Sequence, residues 1–143
     1  VVDWISERTS LPIWVIGMSL GTYSATNSAI RLADKVDGYA VCSASTSPPG
    51  LAGRDWPTGI LELEMNEITV PSIVIGHEDD ECAGTPSSGV QDVVDALVNA
   101  ESVVSNVFGG GKPAASPPCG PLSPHGYYGI DEDVVRFIAD NIK

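Results

Sequence analysis

The sequence predicts an α/β fold with a mostly parallel sheet of about four strands and helices on both faces. Short apolar runs of strand length alternate with helical segments, which is the pattern of strand–helix–strand units. Several of these runs are apolar at consecutive positions, as expected for strands buried on both faces. The chain has 143 residues, of which 43% are hydrophobic, enough for one core. Because no repeat or linker divides it, we predict a single domain over residues 1–143.

The elements follow one another from a helix end to a final helix. We predict a helix end at 1–5, strands at 13–16, 39–43, 70–76 and 102–108, and helices at 20–32, after Ser88 and after Asp131. Ser88 and Gln91 have the spacing of a capping box at the start of the middle helix. Segment 60–68 is left open between a loop and a short helix.

Composition excludes several classes of partner. Seven Lys and Arg residues stand against 19 Asp and Glu, a net charge of −12. Without a basic patch we expect neither nucleic-acid binding nor attraction to anionic membranes. No apolar run approaches the roughly 20 residues of a membrane span. Metal-ligand spacings are absent, so we predict no metal and no cofactor.

Residues 17–21 read Gly-Met-Ser-Leu-Gly, a G-x-S-x-G motif between a buried-type strand and a helix rich in small residues. This context is typical of a nucleophile elbow, a sharp turn that exposes a reactive serine. The two glycines are expected to permit the turn. The motif therefore predicts Ser19 as a nucleophile, with the N–H of Leu20 facing a developing oxyanion at the start of the helix.

A serine nucleophile needs a base, and the base needs an orienting acid. In hydrolases with this elbow, the chain order is Ser, acid, His. That order selects His125, in the long loop before the last helix, and an acid in the 78–81 cluster. Asp80 is favoured, with Asp79 as the alternative. His77 is predicted to be a loop residue near the site.

Three motifs together carry a family resemblance. They are the elbow at 15–22, an acid turn ending Asp80-Glu81-Cys82, and Pro118-Cys119 followed by His-Gly-Tyr-Tyr-Gly-Ile at 125–130. With these motifs the chain resembles the carboxyl-terminal portion of an α/β-hydrolase, particularly a group of small bacterial proteins with that fold. The resemblance covers nearly the whole chain and implies a truncated or minimal α/β-hydrolase fold.

The resemblance also bears on the acid and on the cysteines. It favours Asp80, which lies two positions before Cys82. From the residues alone, Cys82 and Cys119 are either paired or two free loop thiols. The resemblance implies that they pair and that relatives are often exported, so a periplasmic or secreted location is favoured over the cytoplasm.

The front of the chain departs from the family pattern. Only about ten residues precede the elbow strand, whereas α/β-hydrolases have further strands there, and a loop from one supplies the second oxyanion-hole N–H. We therefore expect a truncated product, a naturally minimal hydrolase, or a unit that completes its sheet as a homo-oligomer through an exposed edge.

Together these features predict a serine hydrolase that cleaves small carboxylic esters through an acyl-enzyme. Trp56 and either Tyr127 or Tyr128 are candidate substrate-binding residues for the acyl pocket, with core or surface packing as the alternative for each. Two other functions stay open. One is a weakly active or inactive hydrolase-fold protein used for binding or assembly, and the other is a peptidase or lactonase on the same triad.

Overall fold

The computed structural model describes residues 1–47 and 58–142. Its strands are β1 (Trp14–Met18), β2 (Gly38–Cys42), β3 (Ser72–His77) and β4 (Val103–Phe108). Its α-helices are α1 (Val2–Ser6), α2 (Gly21–Arg31), α3 (Gly89–Ala96) and α4 (Asp131–Asn141). Each strand and helix falls within about two residues of its predicted bounds. None of the helices in these residues is long and apolar enough to cross a membrane.

The four strands form one parallel sheet in the order β1-β2-β3-β4. In the register, Met18 lies beside Cys42 and Cys42 beside Ile75. The carboxyl ends of parallel strands meet at one edge of a sheet, which is where ligands bind in open α/β folds. The segments that follow β1, β2 and β3 therefore lie side by side.

Helices cover both faces of the sheet, as predicted. On one face, α2 and α3 pack on Val41 and Val74. On the other face, Val134 of α4 packs on Ala40 and Ile75. Every residue of β2 and β3 is buried, which explains why their sequences are apolar at consecutive positions rather than alternating.

The backbone decides two local predictions, the one for segment 60–68 and the one for the capping box at Ser88. Segment 60–68 forms two single 3-10 turns, Ile60–Glu62 and Met65–Glu67. The capping box at Ser88 is wrong: Ser88 precedes α3 with φ −62° and ψ −27°, and its side chain makes no capping bond. A side-chain cap requires a non-helical backbone at that position. Gln91 instead donates to Asp95, 2.7 Å away.

Strand β1, which carries the serine motif, is an edge of the sheet. In the part of the chain that the structure describes, β1 pairs only with β2. Ile16 and Met18 are 51% and 42% exposed, although both are large apolar side chains. The expected exposed edge is thus present, while its pairing with a second copy stays a prediction.

Candidate active site

The Ser19 turn begins directly after β1. Ser19 has φ +52°, a left-handed conformation that is uncommon for a residue with a side chain. Its N–H donates to the Cys42 carbonyl at 3.0 Å, and its carbonyl accepts from the Thr22 N–H at 3.0 Å and the Thr22 hydroxyl at 2.6 Å. Such a conformation costs about 1–3 kcal/mol and persists where surrounding bonds hold it, often at functional sites.

The two motif glycines have different roles from those expected. The strained conformation belongs to Ser19, while the glycines with positive φ in residues 1–47 and 58–142 are Gly110, Gly111 and Gly129. A Cβ on Gly17 would lie 2.6 Å from the Gly21 carbonyl oxygen, so Gly17 permits close packing of α2 on β1. A Cβ on Gly21 would meet nothing within 4 Å. The turn therefore requires the first glycine and tolerates a side chain at the second.

Leu20 lies between the serine and α2. In the described parts of the chain its N–H donates to no carbonyl, and the 11-residue helix that follows has no side-chain cap. Unpaired N–H groups and the positive end of the helix dipole both favour an anion at this position. Among the described residues, no backbone carbonyl competes for the Leu20 N–H.

Asp80 and His125 form a buried pair. Asp80 Oδ2 lies 3.0 Å from His125 Nδ1, and their side chains are 1% and 3% exposed. The N–H of Cys82 donates to Asp80 Oδ1 at 2.9 Å, so both carboxylate oxygens are bonded. Asp79 is exposed, and its backbone N–H binds His77 Nδ1. Between the two candidate acids, the structure brings Asp80 to the histidine.

Thr85 bonds to both members of this pair, and the sequence analysis did not predict that contact. Its hydroxyl oxygen lies 2.9 Å from Asp80 Oδ2 and 3.1 Å from His125 Nδ1. The residue as a whole is 3% exposed. A turn in which the Thr85 N–H donates to the Cys82 carbonyl at 2.9 Å brings the side chain back to the acid. The sequence feature that could have predicted this turn is the Ala83-Gly84 pair inside it.

A disulfide between Cys82 and Cys119 confirms the predicted pairing. Cys82 is buried beside Asp80, whereas Cys119 is exposed in the long loop that leads to His125. The bond closes a loop of 37 residues and ties the acid turn to the histidine loop. The Sγ of Cys82 lies close to Asp80 and His125, but as a disulfide sulfur it is not a metal-binding thiolate.

Tyr127 lies in the core rather than in an acyl pocket. It is 4% exposed and packs edge-to-face on Phe108. Its hydroxyl accepts from the Ser43 N–H at 3.0 Å and donates to the Ile75 carbonyl at 3.3 Å. Burial raises the pKa of the Tyr127 phenol. The structure therefore shows Tyr127 in core packing, the alternative to a substrate contact, while Trp56 lies outside the described residues.

Ser19 and His125 each form a hydrogen bond with the same short segment, Cys42 and Ser43. Ser19 binds the carbonyl of Cys42, and the hydroxyl of the next residue, Ser43, donates to the His125 carbonyl at 3.1 Å. In residues 1–47 and 58–142 no hydrogen bond joins the Ser19 hydroxyl to the imidazole. Catalytic hydrogen bonds are often long without substrate and tighten in the complex.

Comparison with solved structures identifies the fold of this chain. No family model matches the sequence, and no curated protein matches it. Among solved structures, a lipase-esterase related protein from Clostridium acetobutylicum aligns over 99% of this chain and 74% of its own, with a TM-score of 0.61 and 11% identity. The monoacylglycerol lipase of Paleococcus ferrophilus aligns over 97% and 71%, with a TM-score of 0.58 and 14% identity. A serine hydrolase involved in carbazole degradation aligns over 96% and 66%, with a TM-score of 0.62 and 9% identity.

The chain has the α/β-hydrolase fold. It spans about two thirds to three quarters of the length of these three proteins. At this level of identity the likeness concerns the fold alone, and residue roles depend on the geometry of the site.

Proposed function

We propose that this protein is a serine hydrolase that cleaves small carboxylic esters through an acyl-enzyme. The observation that carries the proposal is the buried Asp80–His125 pair. The Ser19 turn and the His125 loop both bond to the adjacent residues Cys42 and Ser43, which supports their use in one site. A carboxylate buried with an imidazole at 3.0 Å is the arrangement that orients a general base and stabilises its charged form.

The proposed reaction assigns a step to each group. His125 Nε2 removes the hydroxyl proton as Ser19 Oγ forms a bond to the ester carbonyl carbon. The carbonyl oxygen becomes an oxyanion, to which the Leu20 N–H donates. As the C–O bond to the alcohol breaks, His125 returns the proton to the leaving oxygen. Water, deprotonated by His125, then attacks the acyl-enzyme and releases the acid and Ser19.

Ester hydrolysis measured on two serine variants tests the proposal. Ser19→Ala should lower hydrolysis of p-nitrophenyl acetate to the uncatalysed background because the nucleophile is gone. Ser24→Ala is the matched control, since Ser24 is an exposed residue of α2 one turn beyond the elbow. Activity that survives Ser19→Ala contradicts the proposal. A series of esters, lactones and peptides then separates an esterase from a lactonase or a peptidase.

A second candidate function is binding or assembly by a weakly active hydrolase fold. The observation that favours it is the free edge of β1, where Ile16 and Met18 are exposed. Edges of this kind pair with other strands. Analytical ultracentrifugation tests it: a dimer that dissociates with Ile16→Lys supports assembly through β1, and a monomer at every concentration contradicts it.

A further inference from the structure

His77 is a buried histidine that the proposed reaction does not use. It is the last residue of β3 and is 1% exposed. We propose that His77 is a positioning residue that holds the acid turn for the Asp80–His125 pair, with its proton on Nε2. This inference rests on the proposed hydrolase function.

Both ring nitrogens of His77 are occupied by backbone groups. Nδ1 lies 3.1 Å from the Asp79 nitrogen, whose N–H donates to it. Nε2 lies 3.1 Å from the Gly110 carbonyl oxygen, which accepts. A nitrogen that accepts carries no proton, and a nitrogen bonded to a carbonyl must donate one. The two bonds therefore fix the neutral ring with its proton on Nε2.

His125 holds the opposite tautomer. Its Nδ1 lies 3.0 Å from a carboxylate oxygen, so that nitrogen carries the proton and Nε2 is the basic atom. The two histidines of the chain therefore have different proposed roles, one as the base and one as a positioning residue. Within residues 1–47 and 58–142 the side-chain hydrogen bonds of His125 involve Nδ1 alone, whereas His77 bonds through both ring nitrogens.

The bonds of His77 act on the turn that carries Asp80. A side chain that accepts the N–H two residues later has the geometry of an Asx turn, which fixes the backbone locally. The Asp80 N–H then donates to the His77 carbonyl at 3.2 Å. These two bonds set the direction in which the Asp80 side chain leaves the turn.

The second ring nitrogen links the turn to the histidine loop. Gly110, which accepts from Nε2, belongs to the segment after β4. Two residues later the Lys112 N–H donates to the Tyr128 carbonyl at 2.9 Å, three residues beyond His125. One imidazole therefore couples the acid turn to the loop that carries the base. A misplacement of about 1 Å between catalytic groups can cost about 10²-fold in rate.

Three substitutions test the two His77 hydrogen bonds one at a time and together. His77→Asn retains an acceptor near Nδ1 for the Asp79 N–H and removes the contact with Gly110. His77→Gln retains a donor near Nε2 and removes the acceptor. His77→Phe fills the space and removes both. We expect kcat for p-nitrophenyl acetate to fall about 10–100-fold in His77→Phe, with KM changed less than about threefold. Asn and Gln should each restore part of the lost kcat, because each retains one of the two bonds.

The matched control addresses loss of stability. Tyr39→Phe removes a buried hydrogen bond of 2.7 Å to Thr26, in the core on the α2 face of the sheet. Its kcat should equal that of wild type. His77→Phe at the wild-type kcat, or Asn and Gln both no more active than Phe, overturns the positioning role. Ser19→Ala separates the two failures, because activity that survives it contradicts the hydrolase function itself.

Nitrogen NMR of the wild-type protein tests the tautomers without any turnover. The two imidazoles are assigned from the spectrum of His77→Asn, which retains only His125. We expect the neutral His77 ring to carry its proton on Nε2 and the neutral His125 ring to carry its proton on Nδ1. A proton on Nδ1 of His77, or on both of its nitrogens at neutral pH, overturns the inference.

Discussion

Removal of the Cys82–Cys119 disulfide should destabilise the protein strongly. The bond closes a loop of 37 residues between two irregular segments. Cross-linking restricts the unfolded chain, and the chain-entropy relation gives about 4 kcal/mol for a loop of this length. Reduction, or the double substitution Cys82→Ser and Cys119→Ser, should lower the free energy of unfolding by about that amount.

Urea unfolding followed by circular dichroism measures the effect. With a slope of about 2 kcal/mol per molar urea, the midpoint should fall by about 2 M on reduction. Because Cys119 is exposed, dithiothreitol can reach the bond. The double-serine variant is the control, since its midpoint must not respond to reductant. A midpoint that falls by less than about 0.5 M in wild type contradicts the assignment of this stability to the cross-link.

Further predictions concern the hydroxyl beside the acid, the motif glycines and the free thiol. Thr85→Val should lower kcat/KM about 10-fold, because it removes one hydrogen bond to the Asp80 carboxylate. Thr85→Ser keeps the hydroxyl and should retain activity. Equal kcat/KM in the Val and Ser variants contradicts a role for this hydrogen bond. Gly17→Ala should destabilise the fold by about 1–3 kcal/mol through overpacking, whereas Gly21→Ala should leave the urea midpoint within about 0.5 M of wild type. Burial raises the pKa of the Cys42 thiol to about 11, above its ordinary value. The folded state then holds this proton more tightly, so the free energy of unfolding should fall as pH rises from 9 through about 11, and less so in Cys42→Ala.

The sheet could be predicted from sequence because its strands are buried on both faces. Runs such as 72–77 are apolar at consecutive positions, and segments of helical length separate them. The capping box was wrong because spacing does not reveal the backbone angles of Ser88, which already turn as in a helix. Propensity patterns identify elements better than they identify the contacts at element ends.

The contact between Asp80 and His125 could be predicted because histidine is scarce in this chain and its position along the chain is constrained. The chain has two histidines, and the order of a Ser–acid–His triad left His125 as the base. Thr85 could not be found this way, because its role comes from a turn that folds it back onto Asp80. The sequence did not separate the two alternatives for Tyr127, because a position near His125 along the chain does not show that the ring packs in the core.

Covalent labelling of the serine tests the central claim most directly. A fluorophosphonate probe, followed by peptide mass mapping, should modify Ser19. The rate should fall about 10³–10⁴-fold in Asp80→Asn, because the imidazole loses the carboxylate that orients it. Asp79→Asn, which changes the neighbouring exposed carboxylate, should label at the wild-type rate. A folded protein in which Ser19 stays unlabelled, or in which both aspartate variants label equally, contradicts the proposed site.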